Sequence, residues 1–106
     1  MRDGEPFAFA GLWEIWRDPA TPDAEPLRTC TIITGAPNEL VAPIHDRMPV
    51  ILPRDRYAAW RSAETPPDER AAMLIPFPAE LMRTYPISTR VNAPRNDDPA
   101  IIQPMP

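Results

Sequence analysis

PFAFAGLWEIW, residues 6–16, is rich in aromatic side chains and predicts a β-strand. Strict alternation puts Phe7, Phe9, Gly11, Trp13 and Ile15 on one face and Ala8, Ala10, Leu12, Glu14 and Trp16 on the other. Both faces are then mostly apolar, and Glu14 is the exception. A carboxylate in such company costs free energy to bury unless it is paired, so Glu14 is a candidate for chemistry. After a polar stretch, RDPATPDAEP at 17–26, the β-branched run LRTCTIIT at 27–34 predicts a second strand. The two read as an antiparallel hairpin with a long loop.

Outward from this hairpin, Gly35 and Pro37 break the second strand, and NELVA has room for about one helical turn before Pro43. RMPVILP at 47–53 predicts a short buried strand. Pro49 restricts it to an edge, or to a start at Val50. PRDRYAAWRSA at 53–63 predicts a helix, with Tyr57 and Trp60 on one face. TPPDERAAML at 65–74 predicts another, with Thr65 as cap, Pro66 at the first helical position and Asp68 at the capping-box spacing. IPFPAELMRTYPIS predicts a short turn and then an extended segment, and residues 93–106 a loop-like tail. The fold class expected is α+β with strands as the scaffold, in one domain over 1–106.

Composition narrows the classes. The chain holds 17 prolines against 3 glycines, so long helices and central strands are few. The net charge of −4, with every basic residue an arginine, does not by itself suggest a nucleic-acid partner. Arg47, Arg90 and Arg95 nonetheless lie beside proline-rich loops, where phosphate contacts are plausible. The one cysteine, Cys30, excludes an internal disulfide and a cysteine metal framework, and no metal or other cofactor is expected. Mid-strand, Cys30 reads as a small buried hydrophobe. Trp13, Trp16 and Trp60 read as core. No signal peptide or membrane-length apolar run is visible, and the chain reads as cytoplasmic.

VAPIHDRMPVIL, residues 41–52, holds the single histidine, His45, between prolines and ahead of an apolar run. A carboxylate beside an imidazole makes an acid–base pair, and the residues alone do not show whether Glu14 and His45 meet. A lone histidine that only frames its loop is the other reading, and both stay open on the residues alone.

Taken in order, FAFAGLWE, CTIIT, NELVAPIHDRMPVIL, PAELMRTYPISTRVN and PRNDDP resemble the SRAP family, the SOS response-associated peptidases, from about Pro6 to Pro99. The resemblance implies a strand-rich α/β fold with a grooved face for single-stranded DNA, autoproteolytic peptidase activity, and action on abasic sites. It implies a thiazolidine crosslink between the opened sugar and a cysteine exposed by removal of the initiator methionine. Glu14 matches the glutamate of the family's GLWE motif, and His45 the histidine of PIHDRMP. Both are implied to lie at the reacting sugar as catalytic groups, and so to approach within a direct or water-bridged hydrogen bond. Thr34 resembles a position near the bound nucleotide, and Arg47 and Arg90 are the arginines expected on DNA.

One departure is large: position 2 is Arg2, not cysteine. By resemblance the chain corresponds to the C-terminal portion of such a protein, a partial domain whose N-terminal half is expected elsewhere. It is expected to form no crosslink alone, and to expose Phe7, Phe9 and Trp13 where partner strands would pack. The competing reading is a non-catalytic module that binds single-stranded DNA or a protein partner.

Overall fold

Three strands, each too irregular to run straight, meet at one point and exchange partners there. The computed structural model describes residues 1–106. The stretch expected as one strand at 6–16 is split at Ala10 into β1 (Ala8–Phe9) and β2 (Gly11–Trp16). The second run is split at Ile33 into β3 (Leu27–Ile32) and β4 (Thr34–Gly35), and the third at Val50 into β5 (Met48–Pro49) and β6 (Ile51–Leu52). All pairings are antiparallel: β1 with β6, β2 with β3, and β4 with β5.

The three break residues close a ring of backbone hydrogen bonds. Ala10 N–H donates to Val50 O at 2.8 Å, Val50 N–H to Ile33 O at 2.9 Å, and Ile33 N–H to Ala10 O at 2.9 Å. The breaks therefore leave no orphaned amide at the centre of the molecule, where one would be costly. Ala10 is fully buried, and packs with Val50, Leu52 and Met73 against Ile33, Tyr57, Ala59 and Trp60.

The helix predicted at 53–63 opens as a 3₁₀ turn at Arg54–Arg56 and continues as α1 (Tyr57–Arg61). Its expected shared face is used to clamp the junction. Tyr57 Oη accepts from Ala8 N–H at 3.1 Å, and Trp60 Nε1–H donates to Gly11 O at 3.2 Å, on either side of Ala10. Only a small residue fits beneath that clamp. Gly11 is equally constrained, since a Cβ there would sit 3.0 Å from Thr31 O.

The second helix, α2 (Pro67–Ala72), begins one residue later than expected. Pro66 is its cap in an extended conformation, because the residue before a proline, here Pro67, avoids the helical region. Thr65 is not the cap; its hydroxyl donates to Ala59 O at 2.7 Å and ties α2 back to α1. The segment 75–82 holds one 3₁₀ turn at Ala79–Leu81. A 3₁₀ turn at Thr89–Asn92 precedes the tail expected at 93–106, which itself holds a 3₁₀ turn at Pro99–Ile102 and folds back through an Ile87–Pro104 bridge.

Two expectations about side chains are overturned. Trp13 is 70% exposed and Trp16 is half exposed; of the three tryptophans only Trp60 packs on the core. Cys30 is exposed rather than buried. The cause is shared. The β2–β3 hairpin has no third strand and nothing lies over either of its faces. The α+β class and strand scaffold hold. No helix is long and apolar enough to cross a membrane.

Candidate nucleic-acid interface

The site is built from the turn that follows β4. Asn38 is the one buried polar residue, and its amide is fully used. Oδ1 accepts from Val41 N–H at 3.1 Å, while Nδ2 donates to Phe77 O at 2.7 Å and contacts Met82 Sδ at 3.3 Å. The side chain thus caps the turn and moors it to the 77–82 segment. The turn continues through Ile44 N–H and His45 N–H, both donating to Val41 O, at 2.8 and 3.0 Å. It delivers His45 to the surface. Met48, buried at the start of β5, anchors the other side of the loop.

Between these anchors Arg47 crosses to Thr34. Its Nη2 donates to Thr34 O at 2.8 Å and to Thr34 Oγ1 at 2.7 Å. Nε and Nη1 make no hydrogen bond within the chain, so a planar cation with unused donors faces outward. Arg47 N–H donates to His45 Nδ1 at 2.9 Å. The Asp46 carboxylate also lies 3.1 Å from that nitrogen. Nδ1 cannot accept from one group and donate to the other at once. The backbone donor is fixed, whereas Asp46 is almost wholly in water, so the neutral ring carries its proton on Nε2. Nε2–H is then the ring's donor, on a side chain 65% exposed.

Three of the predicted residues, Thr34, His45 and Arg47, are therefore one hydrogen-bonded cluster. Two are not part of it. The Glu14 carboxylate accepts from Ile15 N–H at 2.8 Å and makes no direct hydrogen bond to His45. Glu14 pairs with Thr29 across the hairpin. Arg90 is held by Asp98, with Nη2 to Oδ2 at 2.9 Å, in the tail. Asn38 was missed in the sequence; its signal was an asparagine directly after Pro37 and before a one-turn helix, a capping position.

A groove of about 480 Å³ lies elsewhere, between the Arg2–Phe7 region, Leu52–Tyr57 and Phe77–Leu81. None of the five candidate residues lines it. An open surface with outward donors suits an extended polyanion better than an enclosed pocket does. No group of three His, Cys, Asp or Glu side chains converges as a metal site would.

Residues 1–94 match the family described as SOS response associated peptidase (SRAP). The abasic site processing protein YoqW of Bacillus subtilis (strain 168) is 45% identical over 104 residues, covering 97% of this chain and 45% of the relative. The abasic site processing protein HMCES of Gallus gallus is 43% identical over 99 residues, covering 92% of this chain and 28% of the relative. A crystal structure of a protein from Bacteroides thetaiotaomicron superposes with a TM-score of 0.82 at 33% identity, covering 96% of this chain and 45% of that one. The chain thus spans less than half the length of these relatives.

Proposed function

The chain belongs to the SRAP family, and on that premise we propose that it carries the DNA-facing, proton-handling part of an abasic-site processing protein. The observation that supports this most is the Thr34–Arg47–His45 cluster, which sets a cation with unused donors beside an imidazole of fixed tautomer. Arg47 takes a backbone phosphate of single-stranded DNA through Nε and Nη1. Thr34 holds that guanidinium in place and borders the nucleotide.

His45 then does the proton transfer. Opening the abasic sugar breaks the bond between the anomeric carbon and the ring oxygen and leaves an aldehyde. In its protonated form, with Nδ1–H turned to the Asp46 carboxylate 3.1 Å away, the imidazole gives its Nε2 proton to the ring oxygen as that bond breaks and is left neutral, while the anomeric hydroxyl loses its proton to a base. Glu14, by its match to the GLWE motif, is assigned as that base. The same imidazole, run backwards, serves reversal of an adduct.

Crosslinking is a separate matter. A thiazolidine needs an amine and a thiol on one residue. The only thiol here is Cys30, whose nitrogen is in a peptide bond. The chain as it stands binds and transfers protons but forms no thiazolidine. The binding part is tested by titrating an oligonucleotide with one abasic site at several salt concentrations. Arg47→Ala should weaken binding and lower the salt slope by about one. An unchanged affinity and slope for Arg47→Ala would remove the cluster from the DNA interface.

A further inference from the structure

The neutral ring of His45 occupies the one hydrogen bond that Arg47 N–H makes. That amide donates to Nδ1 at 2.9 Å and has no other acceptor in the chain. Protonation puts a hydrogen on Nδ1 and turns the acceptor into a donor. Nδ1–H cannot face an N–H. The one carboxylate in ion-pair range is Asp46, whose Oδ1 already lies 3.1 Å from Nδ1. Glu14 and Glu39, the latter in the same turn, make no ion pair with the ring. The Arg47 guanidinium is turned to Thr34. The strands that flank the loop, β4 and β5, bring only Thr34, Gly35, Met48 and Pro49, none of which titrates. The imidazole is mostly exposed, so it can change partner without disturbing the core.

We propose that the main-chain N–H of Arg47 is a second DNA-binding group on this residue, and that His45 and Asp46 gate it. Proton uptake from water by His45 moves Nδ1 to Asp46 and leaves the Arg47 N–H without an acceptor. A phosphate oxygen of single-stranded DNA then takes that place, as main-chain amides commonly bind phosphates. The coupling is reciprocal: DNA seated on the amide favours the protonated ring, so the acid that opens the sugar is loaded as DNA binds. Asp46 is a positioning residue in this scheme, because it acts only through the imidazole. The inference rests on the reading of Arg47 as a phosphate ligand, and adds to it a donor, a gate and a pH dependence.

His45 is the chain's single histidine, so any imidazole titration has one source. Binding of a single-stranded oligonucleotide with one tetrahydrofuran abasic analogue is measured by fluorescence anisotropy at about pH 5.5 and about pH 8, on either side of the usual imidazole range. The parent should bind about three-fold tighter at the lower pH, the equivalent of one modest hydrogen bond. Plain attraction between an imidazolium and phosphate has the same sign, and His45→Ala separates the two. That variant has neither acceptor nor charge, so Arg47 N–H is free at both pH values and affinity should stay at the parent's low-pH level throughout. Affinity fixed at the parent's high-pH level would overturn the proposal. In the ¹⁵N-labelled free chain, the protection factor of the Arg47 amide should fall as the ring protonates; equal protection at both pH values would also overturn it. Asp46→Ala should expose the ring's Nδ1 proton to rapid exchange at the lower pH, and Asp46→Glu should restore its protection; no difference between these two variants removes Asp46 from the gate. If Arg47→Ala binds like the parent at both pH values, the underlying DNA reading falls instead, and the gate with it.

Discussion

Arg47 gives two hydrogen bonds from a single nitrogen to Thr34, one to the carbonyl at 2.8 Å and one to Oγ1 at 2.7 Å. The loop that carries His45 is thereby fastened to the end of the strand run on its far side, and the guanidinium is oriented before any ligand arrives. Pre-orientation of this kind lowers the ordering cost of binding.

Thr34→Val removes the Oγ1 acceptor and leaves the carbonyl. It should lower affinity for abasic single-stranded DNA about five-fold, the equivalent of one ordinary hydrogen bond. Thr34→Ser, which keeps the hydroxyl, should bind like the parent. Equal affinity for all three, measured by fluorescence anisotropy, would show that Arg47 does not need this tether.

Asn38 acts through the turn rather than on a ligand. Asn38→Ala removes the acceptor for Val41 N–H and the donor to Phe77 O, and should cost about 1–3 kcal/mol of local stability. Asn38→Asp keeps the cap on Val41 but sets a carboxylate against the Phe77 carbonyl. Amide exchange separates the two: alanine should release Val41 and His45, aspartate only the contacts of 77–82. Unchanged protection of His45 in Asn38→Ala would show that the turn positions itself.

His45→Asn keeps an acceptor near the Nδ1 position for Arg47 N–H but removes the titrating ring. Mixed with the part of B. subtilis YoqW that this chain does not match, the variant should keep DNA affinity within a few-fold while sugar opening slows by about 100-fold or more. Rates are read from single-turnover adduct formation. A variant as fast as the parent would return His45 to a purely framing role.

The hairpin was legible because its aromatic and β-branched runs have no competing pattern, and the loop holding His45 because prolines bracket it. The breaks at Ala10, Ile33 and Val50 were not. They arise from three strands meeting, a tertiary event that leaves only a small residue, Ala10, as a local trace. The cap of α2 was misplaced because two consecutive prolines both suit a helix start, and only the restriction on the residue before a proline separates them. Thr34 and Arg47 were named separately from a motif and from charge; that they touch follows from the β4–β5 pairing, which no spacing rule reveals. The exposure of Trp13 and Trp16 runs against their composition because their hairpin has no third strand and nothing lies over either of its faces.

The central claim, that this chain holds the DNA-facing and proton-transfer groups but not the nucleophile, is tested most directly on a denaturing gel. An oligonucleotide with one abasic site is incubated with the chain alone, and with the chain plus the part of B. subtilis YoqW that it does not match, made as a separate polypeptide. The account predicts no heat-stable shifted band with the chain alone, and a band with the pair that weakens in Arg47→Ala and His45→Ala. A band formed by the chain alone and lost in Cys30→Ala would contradict it, since the internal thiol would then be reacting by a route that needs no terminal amine.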